Sequence, residues 1–342
     1  MSKTKRLASL TADTLDPETF DPLIPRVAQQ AITRTPIWLP WQARILPLGM
    51  FFRSGATTEP DGSEYPFASE TAFDVNSLSS ASVRFTTDDD SGRFRSSEAM
   101  SSSASADHLS VGVGAGADLG FLEASVSVNY DREVLQNRDS NKASVTTSYR
   151  AGTVAFSRPP ELSEDAFRVL QKEGMEAFKA EFGDYYVGGY RIGGDASVLF
   201  TTDASRRSET EAKKVSISVK SLFGDYHEED ATNMSSSEEN FEVHISAYST
   251  LEQLLIVETV QTGTPRFQAV LEQGRGIHRR SQDLRNCVAL VLQELGVRSG
   301  KRVTPQQCSR LCEHALVVEL VLMPVETLRQ VRAWSILQDC EE

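Results

Sequence analysis

The sequence predicts an α+β fold in which amphipathic strands pack against helices, and three observations support this prediction. Two pairs of segments alternate apolar and polar residues with a period of two, which is typical of strands with one apolar face. A helix with a clear start signal lies between the two pairs, at residues 163–182. Directly after it, EFGDYYVGGYRIGGDASVLF (residues 181–200) combines five glycines with five aromatic residues. Because glycine in a strand marks a bend, a bulge or a close approach of backbones, this stretch predicts a sharply bent strand.

Length and charge limit the class of protein. The 342 residues are 39% hydrophobic, enough for one large domain or two ordinary ones with a sizeable core. Asp and Glu total 48 against 35 Lys and Arg, giving a net charge of −13 that opposes binding to phosphate backbones. We therefore expect no nucleic-acid partner.

Hydropathy bears on where the protein acts. The N-terminus lacks the apolar run of a secretory signal, and no stretch approaches the roughly 18 consecutive apolar residues of a membrane-spanning helix. We expect a protein made in soluble form without a recognisable signal peptide. Cytoplasmic storage and non-classical secretion both remain open.

The cysteines and acidic residues predict no metal site. All four cysteines lie in the last fifth of the chain, so they cannot staple the whole fold. Cys308, Cys312 and His314 lack a second pair at metal-ligand spacing, which favours buried or free thiols. The acidic run 88–90 is compatible with calcium but is more typical of a solvated turn. We expect neither a metal nor a cofactor.

Enzyme motifs are also lacking in the sequence. GVGAGADLG (residues 112–120) has Ala117 or Leu119 where the last glycine of a dinucleotide-binding motif belongs, and strand alternation runs through it. The chain contains no GxSxG, HExxH or P-loop motif. We expect a protein that is not an enzyme, and keep an enzyme on an unrelated α+β fold as a remote alternative.

The first pair of alternating segments predicts a hairpin. Alternation from Leu109 changes parity at Phe121 and Leu122, stops at a polar tip (residues 131–142) and then resumes. Its outward apolar positions are Leu122, Ala124, Val126, Val128 and Tyr130, then Ala143, Val145, Thr147, Tyr149 and Ala151.

A second hairpin with the same design is predicted further along the chain, around the acidic tip GDYHEEDATNMSSSEEN. Its apolar positions include Val215, Ile217, Val219 and Phe223, then Phe241, Val243, Ile245 and Ala247. Five outward positions correspond to about ten residues, or roughly 33 Å of strand, which matches a bilayer. The alternative is a pair of amphipathic hairpins covering an ordinary core, as in soluble sandwiches.

The helix between the two hairpins is predicted from its start. Two prolines precede it, Ser163 is the expected N-cap, and Glu164 and Asp165 occupy the first turn. An aromatic face at helical spacing is expected to pack on the sheet as core: Phe167, Leu170, Phe178 and Phe182.

FGDYYVGGYRIGG (residues 182–194), following that helix, resembles the signature of the membrane attack complex/perforin (MACPF) family. In that signature an aromatic-Gly-Thr-His-aromatic run precedes a Gly-Gly pair at this spacing. The matching residues are Phe182, Gly183, Tyr186, Gly193 and Gly194. Asp184 replaces the usual Thr and Tyr185 the usual His. One amphipathic segment on each side of the signature also fits the family's layout, from about residue 44 to residue 248.

The resemblance implies a bent, twisted four-stranded antiparallel sheet flanked by two helical clusters, in a protein that assembles into rings. Each cluster, near residues 96–151 and 201–250, would refold into a β-hairpin of a large membrane barrel. Because no open strand edge survives in a bilayer, insertion requires ring closure. The implied function is a pore-forming toxin or defence protein acting on a target lipid membrane as a homo-oligomer, and recruitment by a separate membrane-binding partner protein is compatible with it. A non-lytic interaction module on the same scaffold is the alternative.

The resemblance also assigns roles to the glycine-rich stretch. Its glycines would let the central strand bend while the tyrosine rings restore packing that a glycine-rich strand loses. The predicted hinge and signature residues are Phe182, Gly183, Tyr185, Tyr186, Gly188, Gly189, Gly193 and Gly194. A glycine bulge in a rigid sheet is the alternative.

Three regions are expected along the chain. A polar leader covers residues 1–35, the MACPF-like core covers 36–270, and a helical C-terminal part packed on the core covers 271–342. In the last region Ser281 is the expected cap of a helix that ends at Gly296.

Overall fold

The computed structural model describes residues 30–31, 33–41, 44–58, 65–87, 94–102, 126–136, 141–202 and 242–341. Its strands are β1 (Ile37–Pro40), β2 (Phe51–Phe52), β3 (Val83–Thr87), β4 (Phe94–Ser102), β5 (Asn141–Phe156), β6 (Tyr185–Thr202), β7 (Glu242–Ser249), β8 (Leu254–Gln261) and β9 (Val317–Pro324). Its α-helices are α1 (Val75–Ser80), α2 (Val126–Gln136), α3 (Glu164–Phe182), α4 (Pro265–Gln282), α5 (Leu284–Glu294), α6 (Pro305–Glu313) and α7 (Arg329–Glu341), with short 3₁₀ helices at Ser54–Thr58 and Val325–Thr327.

One antiparallel sheet of nine strands forms the centre of the described structure, more than the four strands that the resemblance implies. We call the half of the sheet that contains the start of β6 (residues 185–192) the lower half. Its strand order is β1-β9-β6-β5-β3, and β2 adds a short pairing with β6. We call the half that contains the end of β6 (residues 196–202) the upper half, and its strand order is β8-β7-β6-β5-β4. Only β5 and β6, of 16 and 18 residues, run through both halves of the described sheet.

The glycine-rich stretch forms the strand β6, as predicted, and the pairing is irregular there. Gly188 is an extra residue between the pairs that Val187 and Gly189 make with β9. On the other side, Ala151 of β5 is an extra residue opposite Gly193 and Ile192. Bulges of this kind bend a strand and increase its twist.

The lower half carries apolar clusters on both faces of the sheet. On one face, residues of β1, β5, β6 and β9 pack with α5 and α6 in the largest cluster, where Tyr190 of β6 is joined by Val288 of α5 and Leu311 of α6. On the opposite face, near the start of β6, Tyr186 packs with residues of β2, α3 and α7. Neither face of the sheet can be exposed here without uncovering apolar area.

The upper half is also covered on both faces, by one helix on each. Residues of β6 and β7, including Val198, Phe200 and Ile245, pack against Phe267 and Val270 of α4. On the other face, Leu199 and Tyr248 pack against α2 through Val126, Tyr130 and Val134.

Helix α3 begins where the sequence predicts. The Ser163 hydroxyl accepts a hydrogen bond from the Ala166 N–H at 3.2 Å, and Glu164 and Asp165 lie in the first turn. Its predicted aromatic face is confirmed, because Leu170 and Phe178 are buried in the cluster with Tyr186, and Phe167 and Phe182 pack at the edge of that cluster.

The C-terminal region differs from the prediction at one helix cap. Ser281 lies in the last turn of α4, where its hydroxyl donates to the His278 carbonyl oxygen at 2.7 Å, so the prediction that it caps the next helix was wrong. Asp283 occupies that N-cap position instead, and the predicted stop is confirmed because Gly296, at φ +68°, follows the end of α5. The region also contributes β9, which pairs directly with β6.

Candidate functional site: four strand ends and the segments they carry

Both predicted hairpin segments are connected to neighbouring strands at one end of the upper half. Residues 103–140 join β4 to β5, and residues 203–241 join β6 to β7. In the strand register, Lys142 lies opposite both Ser102 and Thr201, and Thr201 lies opposite His244. Four strand ends are therefore aligned in one row, and each segment leaves and returns within that row.

The upper half has one apolar and one polar face, because side chains alternate along each strand. The apolar face carries Val145, Thr147, Val198, Phe200, Val243, Ile245 and Ala247, all but Thr147 apolar. The opposite face carries Ser144, Thr146, Ser148, Asp195, Ser197, Thr201, Ser246 and Tyr248 beside Leu199. Both faces are buried in this structure.

The predicted membrane-facing residues of β5 and β7 share the apolar face. Val145, Thr147 and Tyr149 of β5 are buried there, together with Val243, Ile245 and Ala247 of β7. Ala151 is the buried extra residue of the β5 bulge, and Ala143 lies in β5 opposite Phe200. Their insertion into a membrane stays a prediction.

Three further residues of that set lie in a helix instead of a strand. Val126, Val128 and Tyr130 belong to α2, although their spacing of two residues predicts a strand. Residues 131–136, expected as part of a polar tip, continue the same helix. Leu122, Ala124, Val215, Ile217, Val219, Phe223 and Phe241 lie outside the described residues.

Helix α2 contacts the polar face through side chains that we call the α2 dock: Tyr130, Glu133, Ser197, His244 and Tyr248. The Ser197 hydroxyl lies 2.8 Å from the Tyr130 hydroxyl oxygen and 2.9 Å from Thr146 Oγ1. His244 Nε2 lies 2.9 Å from Glu133 Oε2. The rings of Tyr130 and Tyr248 pack with centroids 4.9 Å apart.

Glycine is required by close packing in the signature stretch. A Cβ added to Gly193 would lie 2.0 Å from the Tyr149 carbonyl oxygen, so no larger residue fits without moving β5. Gly183 ends α3 with φ +122°, a conformation that other residues rarely adopt. Of the other predicted hinge glycines, Gly188 and Gly189 face Met323 and Ala155, and Gly194 faces Leu284. Their hinge role stays a prediction.

The signature tyrosines connect β6 to distant parts of the chain. The Tyr185 hydroxyl donates to the Thr35 carbonyl oxygen at 3.0 Å, and the Tyr190 hydroxyl donates to the Leu46 carbonyl oxygen. The Tyr186 ring packs against Phe51 and Phe73. Burial raises the pKa of all three hydroxyls, so they remain neutral.

Asp184, which replaces the usual Thr of the signature, forms its own hydrogen bonds. Its carboxylate accepts from the Ser54 backbone N–H at 2.7 Å and from the Ser54 hydroxyl. Its backbone N–H donates to the Phe52 carbonyl oxygen at 3.1 Å. Asp184 therefore forms a polar link between the signature and the segment after β2.

A buried ion cluster lies where β6 exchanges β9 for β7 as its partner. The Arg150 guanidinium of β5 contacts the Asp195 carboxylate of β6 at 2.5 Å and the Glu319 carboxylate of β9 at 3.0 Å. Burial raises the pKa of the Asp195 carboxyl, although Arg150 opposes the shift. Burial acts to lower the pKa of Arg150, but the two carboxylates outweigh it and raise that pKa. One cation thus joins three strands.

Sequence patterns alone did not predict this cluster or the α2 dock. The sequence does contain one signal for the ion cluster, which is a charged residue within an otherwise uncharged strand pattern. Such residues are Arg150, Asp195 and Glu319. Nothing local in the sequence pairs Glu133 with His244, which are 111 positions apart.

The described residues give no support to a metal site or a spanning helix. Among them, no group of three or more His, Cys, Asp or Glu side chains is arranged to hold a metal ion. Cys308 and Cys312 are buried free thiols in the lower half, and Cys287 is half-buried. None of the helices in the described part of the chain is long and apolar enough to cross a membrane.

The chain is similar to several solved structures. GNIP1Aa from Chromobacterium piscinae is 12% identical with a TM-score of 0.29, and the match covers 88% of this chain and 55% of that one. A putative cell invasion protein with a MAC/perforin domain from Bacteroides thetaiotaomicron is 11% identical with a TM-score of 0.26, covering 68% and 55%. The cytotoxin suilysin from Streptococcus suis is 11% identical with a TM-score of 0.33, covering 84% and 60%. The chain thus spans between 55% and 60% of these three proteins. The sequence matches no protein-family model and no curated protein.

Proposed function

We propose that the protein is a divergent MACPF-like pore-forming protein that oligomerises on a target membrane. The observation that carries this proposal is the row of four strand ends in the upper half. Residues 103–140 and 203–241 leave and return at that row, each joins two neighbouring antiparallel strands, and they make up the middle of the two predicted membrane-inserting segments near residues 96–151 and 201–250. Straightening each segment would lengthen four strands that are already paired in order.

The two faces of the upper half support the same proposal. A strand in a membrane barrel needs an apolar side toward lipid and a polar side toward the lumen. The β5, β6 and β7 strands have this alternation, with Val145, Val198 and Ile245 on one side and Thr146, Ser197 and Ser246 on the other. Extending the strands would continue a pattern that the folded chain already has.

Ring assembly follows from the physics of insertion. Strand edges with unpaired N–H and C=O groups are not stable in hydrocarbon, so the strands must pair with those of further copies until a barrel closes. Recruitment by a separate membrane-binding protein is compatible with this sequence of events and is tested in the same experiment.

The experiment is dye release from liposomes of mixed composition, with and without a lysate of the source organism, followed by electron microscopy of the same membranes. Release together with rings is the expected result. Release only with lysate would favour a partner protein. Intact vesicles without rings under every condition would contradict the proposal.

A second candidate is a non-lytic interaction module on the same scaffold. The acidic tip between residues 225 and 239 favours it, because these charges would have to cross the bilayer during insertion. Stable monomers on every membrane tested would support this candidate.

A further inference from the structure

Two arginines lie directly opposite each other at the edge of the lower half. Residues 298–303 run beside β3, and Arg302 pairs with Arg84 of β3 in an antiparallel bridge. One backbone hydrogen bond lies on each side of the bridge: Phe85 N–H to the Lys301 carbonyl oxygen at 3.3 Å, and Val303 N–H to the Val83 carbonyl oxygen at 2.9 Å. Arg84 and Arg302 therefore form a non-hydrogen-bonded pair, in which the Cα atoms are about 4.5 Å apart and the side chains leave the same face.

The backbone directs both arginine side chains away from the core. Phe85 is buried in the largest apolar cluster, so the preceding residue, Arg84, points to the opposite side of the strand. Both Arg84 and Arg302 are exposed. The turn before Arg302 is closed by a hydrogen bond from the Lys301 N–H to the Arg298 carbonyl oxygen at 3.1 Å. A hydrogen-bonded backbone thus presents two guanidinium groups side by side to solvent.

The arginine pair concentrates positive charge in a protein whose net charge is −13. Exposed arginines elsewhere lie beside carboxylates, in the pairs Arg34–Glu326, Arg168–Asp165, Arg266–Glu258 and Arg280–Glu252. Within the described part of the chain, neither Arg84 nor Arg302 makes an ion pair, and neither do the exposed Arg298 and Lys301 at the adjacent turn. Like charges directly opposite each other destabilise a strand pair. The folded chain therefore holds a repulsive contact that a bound anion would relieve.

The position of the pair bears on the source of such an anion. Strand β3 pairs with residues 152–156 of β5, whereas both predicted membrane-inserting segments leave the sheet at the other end of β5, near Lys142. About ten residues of strand, or roughly 33 Å, separate the two places. A membrane entered by those segments would lie far from the arginine pair, which favours a soluble ligand over a lipid headgroup.

We propose that Arg84 and Arg302 form a binding site for a phosphate or sulfate group of a soluble ligand. Neighbouring guanidinium groups match the oxygen atoms of such a group and donate paired hydrogen bonds to it. Arg298 and Lys301 add to the positive potential that attracts the anion. The site itself does not depend on the pore-forming function proposed above, and only the choice of a soluble source uses it.

The first test titrates the protein with sodium phosphate by isothermal calorimetry, near neutral pH and at constant ionic strength. We expect the unaltered protein to bind phosphate, and Arg84→Gln and Arg302→Gln to bind it about tenfold more weakly, because each variant loses hydrogen bonds to a charged group. Arg285→Gln removes an exposed arginine from α5 and is the matched control, with unchanged affinity expected. No binding by the unaltered protein, or equal weakening in the control, would overturn the proposal.

Urea unfolding separates a ligand site from a structural role. Because the two arginines repel each other when no anion is bound, we expect neither Gln variant to unfold at a lower urea midpoint than the unaltered protein in phosphate-free buffer. Added phosphate is expected to raise the midpoint of the unaltered protein more than that of either variant. A lowered midpoint without phosphate would show that the pair is already neutralised within the chain, for example by the acidic run 88–90 that follows β3, and would overturn the proposal.

Flotation with vesicles tests the source of the anion. Phosphatidylcholine vesicles are compared with vesicles that also contain phosphatidic acid, whose headgroup is a phosphate monoester. We expect phosphatidic acid to add no binding that depends on Arg84 and Arg302. Binding that requires phosphatidic acid and is lost in both Gln variants would keep the site but overturn its assignment to a soluble ligand. None of these measurements requires pore formation, so a failure of the pore-forming function would leave their outcome unaffected.

Discussion

The two halves of the sheet share β5 and β6 but are packed differently. In the lower half, β6 contributes to apolar clusters on both faces, and the glycine at position 193 lies against the backbone of β5. In the upper half, one face is apolar and the other is lined by Ser and Thr side chains beneath α2. The difference indicates that exposing the polar face of the upper half would uncover less apolar area than exposing either face of the lower half.

The largest effect is expected from Gly193→Val in the lower half. Its Cβ would lie 2.0 Å from the Tyr149 carbonyl oxygen of β5, the strand that pairs with β6 on both sides of the bulge at Ala151. We expect a loss of more than about 4 kcal/mol of stability, measured by urea unfolding. The control is Gly55→Ala, where a Cβ meets no atom within 4 Å. Equal unfolding midpoints for the two variants would contradict the steric argument.

The next effect concerns the junction between the halves. Arg150→Met would leave Asp195 and Glu319 without their cation, and we expect urea unfolding to show a loss of about 3 to 5 kcal/mol. Arg266→Met is the matched control, because the Arg266–Glu258 pair is exposed and is worth about 0 to 1 kcal/mol.

The pH dependence of the Arg150→Met variant sharpens that prediction. The pKa of Asp195 is already raised in the folded protein, and loss of the cation raises it further. The folded state then binds a proton more readily than the unfolded state, so the variant regains stability as pH falls through the raised pKa toward about 3.9. A variant whose deficit is the same at all pH values would show that charge is not the cause.

A smaller effect separates the two faces of the upper half. Val198→Thr places a hydroxyl on the apolar face against α4, and we expect a loss of about 1 to 3 kcal/mol. Ser246→Ala on the polar face removes a hydroxyl without a partner among the described residues, so we expect no loss of stability. Equal losses in urea unfolding would remove the distinction between the faces.

The smallest effect is a difference in the rates of cysteine modification, which reports on the core of the lower half. Burial raises the pKa of Cys308 to about 12 and that of Cys312 to about 11, so both thiols are protonated at neutral pH. We expect iodoacetamide to modify Cys287 before either of them in the native protein, as followed by peptide mass spectrometry. In denaturant the three rates should become similar, and rapid native modification of Cys312 would show that the core opens.

Local signals in the sequence were sufficient for some elements and insufficient for others. The Ser163 cap, the helix it begins and the glycine-rich strand could be predicted because each depends on neighbouring residues. Helix α2 could not, since Val126, Val128 and Tyr130 alternate like a strand and the helix is held by contacts with β6 and β7. The ion cluster and the nine-stranded pairing depend on residues far apart in the chain, which local patterns do not specify.

The position of β9 in the chain has a consequence for synthesis. Strands β4 to β8 are complete once residue 261 has been made, whereas β6 gains its lower partner only with residues 317–324. While the ribosome adds the intervening residues, the glycine-rich part of β6 has one edge without its final partner. Although β6 lies at the centre of the finished sheet, one of its edges therefore stays open in the nascent chain until residues 317–324 have been made. Unpaired strand edges of this kind favour association between chains.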